Sequence, residues 1–220
     1  RFLVEHRPEL VYNTAAFVAV DSCETEEGGR MAFRVNALAV GNLARCCAAV
    51  GARLVHISTD YVFDGQKGAP YVETDHPRPI STYGLSKLAG EYAALAYDPR
   101  ALVVRTCGLY GIRSFERGGG SFVEAILRRA ESGQPLKVVA DKLVSPTYTA
   151  DLAAGLVALV QRGATGIVHM SNTGGVSWYD FAKAALEIAG IENAQISAAS
   201  SAEWNAPARR PPDSRLESER

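Results

Sequence analysis

Three side chains of this 220-residue chain could together act on a carbonyl group. Tyr83 and Lys87 are four residues apart in a stretch of helical periodicity, residues 83–96, so they lie on the same face of the predicted helix. An ammonium beside a phenol favours the phenolate and lowers the tyrosine pKa from its usual value of about 10. Tyr83 could then exchange a proton with a carbonyl or alcohol oxygen, and the Thr59 hydroxyl could hold that oxygen. Taken alone, the Tyr-x-x-x-Lys spacing is equally typical of an exposed pair on a helix.

The setting of Thr59 strengthens this hypothesis. Polar residues 58–65, Ser-Thr-Asp-Tyr-Val-Phe-Asp-Gly, follow an apolar stretch that predicts a buried strand. Ligands of open α/β sheets bind beyond the carboxyl ends of the strands, which is where these residues lie. Reducing a ketone needs a hydride, and no amino acid side chain supplies one, so a nicotinamide cofactor is implied.

Strand-like and helix-like stretches alternate along the chain. This alternation predicts a doubly wound, mostly parallel α/β sheet. Strands are predicted at residues 10–16, 54–58, 102–106, 137–140 and 167–170, and helices at residues 30–50, 83–96, 121–132, 149–161 and 177–189. Polar segments at 64–79, 113–120 and 200–220 interrupt the rhythm, and composition allows either a substrate lobe or lid there, or mobile loops.

Composition excludes several classes of partner. Lys plus Arg (23) nearly balances Asp plus Glu (24), so no global field attracts nucleic acid or an anionic membrane surface. No apolar run reaches the roughly 20 residues of a membrane span and residues 1–4 do not resemble a signal peptide, so we expect a cytoplasmic protein. The four cysteines have neither Cys-x-x-Cys spacing nor nearby histidine pairs, so we expect reduced, mostly buried thiols and no metal site.

Motifs over nearly the whole chain resemble those of dTDP-4-dehydrorhamnose reductases, which are extended short-chain dehydrogenases. The set Thr59, Tyr83 and Lys87 is similar to the catalytic set of that superfamily, and residues 58–65 resemble the corresponding family stretch nearly letter for letter. Further matches follow in the family's order at residues 13–16, 20–21, 35–37, 88–91, 104–106, 109–111, 145–148, 151–153 and 210–211. The resemblance implies a Rossmann-type sheet with a smaller substrate-binding lobe.

The resemblance also implies roles for the matching residues. Tyr83 would donate the proton, Lys87 would tune it and bind the ribose hydroxyls of the cofactor, and Thr59 would be the third catalytic residue. Thr59, Asp60 and Tyr83 would contact the sugar.

Residues near the first predicted strand would form the cofactor side. Ala15 and Ala16 would let NADPH or NADH approach the backbone closely. Asn36 is expected to support the site through hydrogen bonds, and Arg105 and Asp151 are expected to form structural pairs.

Two departures from the family pattern limit what the resemblance implies. Gly108 stands where the family usually has an aromatic residue, commonly Trp, that packs on the sugar, so the exact sugar stays open. No Gly-x-x-Gly-x-x-Gly or Gly-x-Gly-x-x-Gly motif opens a helix, and residues 118–120 follow no strand, so they do not cradle a phosphate. The first β-α-β unit of the family is missing from this chain, and we expect the natural protein to be longer.

The resemblance implies two interleaved parts and a reductase. Residues 1–111 and 137–170 would form a partial dinucleotide-binding domain, and residues 112–136 and 171–220 the substrate-binding lobe. The expected activity is NAD(P)H-dependent reduction of the 4-keto group of a nucleotide-linked deoxy sugar, of the dTDP-4-dehydrorhamnose to dTDP-rhamnose type, in deoxysugar and cell-surface polysaccharide biosynthesis. A nucleotide sugar is the expected partner, and a homodimer is allowed.

Two other functions fit the same residues. One is an epimerase or dehydratase of the same superfamily, although Tyr61 after Asp60 favours reduction. The other is a regulatory subunit that binds nucleotide without turnover, similar to the β subunit of methionine adenosyltransferase.

Overall fold

A four-stranded parallel sheet forms the centre of the fold in a computed structural model that describes residues 1–112 and 121–220. The strands are β1 (Leu10–Asn13), β2 (Arg53–Ile57), β3 (Leu102–Arg105), β4 (Leu109–Tyr110), β5 (Leu136–Val139), β6 (Leu143–Val144), β7 (Thr147–Tyr148), β8 (Gly166–His169), β9 (Val176–Ser177) and β10 (Ile196–Ala199). The helices are α1 (Phe2–His6), α2 (Glu26–Phe33), α3 (Ala39–Val50), α4 (Thr82–Tyr97), α5 (Phe122–Glu131), α6 (Thr149–Gln161) and α7 (Trp178–Ile188). The central sheet has the order β1-β2-β3-β8.

Alternating side chains of the central strands build a core on each face of the sheet. Leu54 and Val103 pack under α3 and α4, while the neighbouring Val55 and Val104 pack under α6 on the opposite face. This alternation follows from the two-residue repeat of a strand, and it confirms the predicted doubly wound arrangement.

One predicted strand belongs elsewhere. Residues 136–139 pair with β10 in a separate two-stranded parallel sheet, so the strand predicted at residues 137–140 lies outside the central sheet. Its apolar side chains, Leu136 and Val138, pack against α5 and α7 instead of the central sheet. The local pattern predicted a strand correctly but could not identify its partner.

The segment predicted as a polar tail is packed against the rest of the molecule. Tyr71 and Leu216 form a bridge between the 64–79 segment and the tail, and both side chains are buried in one cluster with Phe63 and Leu88. The predicted loop at 113–120 lies outside the described residues. Within the described ranges, no helix is long and apolar enough to cross a membrane.

Candidate active site

Thr59 lies just beyond the carboxyl end of β2 and begins a short 3-10 helix, residues 60–62. Its hydroxyl accepts a hydrogen bond from Tyr61 N (3.2 Å) and donates to Asp60 Oδ1 (3.0 Å). The backbone continues the sheet, because Asp60 N donates to Thr106 O (3.0 Å). The threonine is therefore held at the edge where ligands of parallel sheets bind.

Tyr83 lies in the first turn of α4, close to Thr59. Ser81 caps this helix by accepting from Gly84 N (3.2 Å). Only glycine fits at position 84, because a Cβ there would lie 2.2 Å from Tyr61 O. This contact brings the two segments together, and the rings of Tyr61 and Tyr83 meet edge to face with centroids 5.9 Å apart.

Lys87 follows Tyr83 by one helical turn and is 2% exposed. Its Nζ donates to Ile57 O (2.6 Å), which ties α4 to the end of β2. Burial lowers the pKa of Lys87 to about 8, and the Glu91 carboxylate opposes that shift. The helix thus brings Lys87 to the same sheet edge as Thr59.

The expectation that Lys87 lowers the pKa of Tyr83 is not met. Burial raises the pKa of Tyr83 to about 12, and the nearby Thr59 hydroxyl acts against this rise. Since the ammonium of Lys87 is directed at the carbonyl of Ile57, desolvation outweighs any attraction for a phenolate. At neutral pH the phenol keeps its proton, as a proton donor must.

A buried ion pair joins the carboxyl end of β3 to α4. Arg105 Nη2 and Glu91 Oε2 are 2.7 Å apart, and both side chains are almost completely buried. Ser58 Oγ donates to the same carboxylate, and the Arg105 guanidinium lies over the Phe63 ring. Arg105 therefore has the structural pairing expected of it, and Asp151 also has a partner, since its Oδ2 accepts from Asn172 Nδ2 (2.8 Å).

Asn36 organises the loop after β1 from a π-helical turn, Arg34–Leu38. Its Oδ1 accepts from Phe17 N (2.8 Å), and its Nδ2 donates to Phe17 O and Ser86 Oγ, both at 3.0 Å. These bonds join the loop to α4, as expected of Asn36. Ala15 is exposed and Ala16 is half-buried, and neither lines the cavity described next.

A cavity of about 1090 Å³ opens in front of Thr59, Asp60, Tyr61 and Tyr83. Burial raises the pKa of Asp60 to about 6, although the Ser214 hydroxyl and the hydrogen bond from Thr59 oppose the shift. The far walls carry cationic and aromatic side chains that the sequence did not single out: Arg129, Lys137, Lys142, Arg209, Phe122, Trp178 and Trp204. They come from separate stretches without a shared motif, so only the fold brings them together.

Gly108 forms part of the cavity wall in a left-handed conformation, with φ 55°. A Cβ there would lie 3.1 Å from both Pro146 Cα and Val144 Cγ2. At this position the wall consists of backbone, which agrees with the missing aromatic side chain noted in the sequence.

Known proteins are similar to this chain in sequence and in fold. A family model described as RmlD substrate binding domain matches residues 1–220. The dTDP-4-dehydrorhamnose reductase of Mycobacterium tuberculosis is 44% identical over 216 residues, which is 96% of this chain and 69% of that protein. The spore coat polysaccharide biosynthesis protein SpsK of Bacillus subtilis is 42% identical over 192 residues, 87% of this chain and 65% of that protein.

A solved structure of dTDP-4-dehydrorhamnose reductase from Bacillus anthracis in complex with NADP is similar, with a TM-score of 0.92 and 36% identity. The match covers 98% of this chain and 74% of that one. The chain thus spans about two thirds of the length of the curated relatives described above.

Proposed function

Because the chain belongs to the RmlD substrate binding domain family, we propose that it takes part in NAD(P)H-dependent reduction of the 4-keto group of a nucleotide-linked deoxy sugar. The observation that carries this proposal is that Thr59 and Tyr83 lie together in the lining of the large cavity. The relatives named dTDP-4-dehydrorhamnose reductase support a dTDP-linked substrate. The reaction would serve deoxysugar and cell-surface polysaccharide biosynthesis.

Tyr83 would give its proton to the C4 oxygen of the sugar while Thr59 holds that oxygen. Both residues line the cavity, and the raised pKa of Tyr83 keeps its proton in place until an alkoxide, a far stronger base, develops. Asp60 would contact the sugar from the adjacent wall. Lys87 would fix the turn of α4 that carries Tyr83 through its bond to Ile57 O.

The residues beside β1 fit the nicotinamide dinucleotide that the reaction requires. Thr14 and Ala15 have exposed small side chains at the end of β1, where a ligand could approach the backbone closely. Asn13 Oδ1 accepts a hydrogen bond from Ala15 N (3.2 Å). Ala15, Ala16, Tyr83 and Lys87 would hold the cofactor, which supplies a hydride when bound. NADPH and NADH both remain candidates.

The cationic and aromatic side chains of the cavity suit the nucleotide half of the substrate. Arg129, Lys142 and Arg209 could meet the diphosphate, since guanidinium and ammonium groups make strong charge-assisted bonds to phosphate oxygens. Trp204, which is 55% exposed, could stack on the base.

We also propose that the chain is divided into two interleaved parts. Residues 1–111 and the segment 140–170 would belong to the dinucleotide-binding part, and residues 112–139 and 171–220 to the substrate lobe. The pairing of β5 with β10 and the cluster that joins α5, β5 and α7 support this adjusted boundary.

A homodimer is a further part of the proposal. The side chains of Leu38, Leu85 and Tyr92 are exposed, and α4 packs against α2, α3 and the π-helical turn that ends at Leu38. Leu85 and Tyr92 are two helical turns apart and share one face of α4, which suits an isologous interface. Light scattering should give a dimer for the parent and a monomer for Leu85→Glu; a monomeric parent would contradict the dimer.

The cytoplasmic location stays a prediction.

Steady-state NADPH oxidation with a dTDP-4-keto-6-deoxy sugar tests the function directly. The full-length natural protein should oxidise NADPH in step with sugar reduction, with product carrying a hydroxyl at C4. Tight nucleotide binding without turnover would favour the regulatory subunit, and product made without net NADPH oxidation would favour an epimerase or dehydratase.

A further inference from the structure

An ion pair joins two segments that are remote in sequence across the edge of the cavity. Arg210 Nη1 and Nη2 donate to Asp21 Oδ1 and Oδ2, both at 2.9 Å, over a separation of 189 residues. Asp21 Oδ1 also accepts from Ala208 N (3.2 Å). The Arg210 hydrogen bond lowers the pKa of Asp21, so the carboxylate stays ionised at neutral pH. We call Asp21 and Arg210 the clasp.

The backbone around Arg210 is held independently of the clasp. Lys142 Nζ donates to Arg210 O (2.8 Å), and Leu143 N donates to Pro212 O (2.9 Å). Pro211 and Pro212 pack so closely on Gly65 that a Cβ there would lie 2.6 Å from Pro212 Cδ. These contacts hold the tail backbone, and with it Arg210, beside the segment 58–65 that contains Thr59.

The charge of Arg210 also acts on Tyr61, and both side chains line the cavity. Burial and Asp60 raise the pKa of Tyr61, while the positive charge of Arg210 acts against the shift. The Tyr61 ring in turn meets the Tyr83 ring edge to face, at an angle of 82°. The ion pair therefore connects Asp21 to Arg210, the charge of Arg210 acts on Tyr61, and the Tyr61 ring contacts Tyr83.

We propose that the clasp is a positioning device, in which Asp21 orients Arg210 so that Arg210 and Tyr61 hold the Tyr83 ring in line with the substrate oxygen. The inference rests on the proposed function, because it assigns the clasp to the same reaction. Exposed ion pairs contribute little to stability, and the clasp side chains are 46% and 32% exposed, so its effect should fall on geometry more than on stability. A small displacement of a reacting group costs a large factor in rate.

The main competing role for Arg210 is direct binding of the substrate, since it also lines the cavity. The two roles predict opposite effects of Asp21→Asn. If Arg210 binds substrate, removing the Asp21 charge frees the guanidinium and leaves binding equal or tighter. If the clasp positions Tyr83, Asp21→Asn reproduces the defect of Arg210→Met, because the guanidinium loses its orientation.

The experiment compares Asp21→Asn, Arg210→Met and the double variant in the full-length protein. We expect each single variant to lower kcat roughly tenfold to a hundredfold with KM for the nucleotide sugar changed less than threefold. The double variant should be no worse than either single variant, since both break one unit. Arg215→Met is the matched control, because Arg215 makes a similar two-pronged pair with Asp213 in the same tail, outside the cavity lining.

A readout without substrate or cofactor keeps the clasp testable by itself. Amide hydrogen exchange of Ala208, whose N–H donates to Asp21, should accelerate in both clasp variants and not in Arg215→Met. Unchanged exchange in all variants would overturn the clasp. A kcat of Asp21→Asn within threefold of the parent, or losses that multiply in the double variant, would overturn positioning. A parent that exchanges normally but reduces no nucleotide-linked keto sugar would instead contradict the proposed function.

Discussion

Burial moves the pKa values of Tyr83 and Lys87 in opposite directions for the same reason. Removing either side chain from water disfavours its charged form, which is the phenolate of Tyr83 and the ammonium of Lys87. The pKa of Tyr83 therefore rises to about 12, and the pKa of Lys87 falls to about 8. The spacing of the two residues predicted their shared helix face, but it could not predict how deeply the fold buries them.

The depressed pKa of Lys87 should make stability depend on pH. Between about 8 and its unfolded value of 10.5, Lys87 is more protonated in the unfolded state than in the folded state, so the free energy of unfolding rises with pH. From pH 7.5 to 9.5 this contribution should raise the free energy of unfolding by roughly 2 kcal/mol. Lys87→Met lacks the titrating group and should not show this rise. Urea denaturation of both proteins at the two pH values measures it. An equal slope in both would show that Lys87 titrates normally.

At the scale of elements, sequence patterns identified the long helices and central strands well. The helix predicted at residues 177–189 matches α7, whose N-cap residue Ser177 accepts from Asp180 N (3.0 Å). The two-residue strands, such as β4 and β7, were not predicted, because two residues are too few to show an alternating pattern. The partner of β5 was missed since pairing with β10 is set by tertiary packing.

The start of α4 depends on a carboxylate that the sequence did not single out. Glu24 Oε1 accepts from Thr82 N and Glu24 Oε2 accepts from Thr82 Oγ1, both at 2.9 Å. A negative charge at a helix N-terminus is stabilising, and this one lies beside Tyr83.

Glu24→Ala should lower the free energy of unfolding by about 1 kcal/mol, the usual cost of a lost helix cap. It should also lower kcat severalfold, because the first turn of α4 carries Tyr83. Chemical denaturation and steady-state kinetics measure the two effects, with Glu27→Ala as control for loss of a nearby exposed acid. If both alanine variants behave alike, Glu24 does not hold the helix start.

At the scale of the whole molecule, the C-terminal tail completes both a core cluster and the cavity. Leu216 packs with Phe63, Tyr71 and Leu88, which places it beside α4 and the segment that follows β2. The sequence showed a polar, proline-containing segment, and nothing in its pattern indicated which surface it would cover. For the same reason the basic and aromatic cavity wall could not be predicted.

Leu216→Ala should therefore destabilise the protein although it lies near the end of this sequence. Leu216 is 5% exposed, and removing a buried leucine side chain costs about 2–5 kcal/mol. Urea denaturation should show this loss, whereas Glu217→Ala, at the next and exposed position, should change stability little. A loss below 1 kcal/mol in Leu216→Ala would mean that the tail does not belong to the core.

Tyr83→Phe in the full-length protein tests the central claim most directly. The ring and its contact with Tyr61 remain, so stability should change by only about 1 kcal/mol, the value of one hydrogen bond. The kcat for a dTDP-4-keto-6-deoxy sugar at saturating NADPH should fall at least about a hundredfold, because the alkoxide loses its positioned proton donor. Tyr97→Phe, which removes a hydroxyl from the other end of α4, should keep the parental rate. A kcat of Tyr83→Phe within threefold of the parent would contradict the assignment of Tyr83 as the acid.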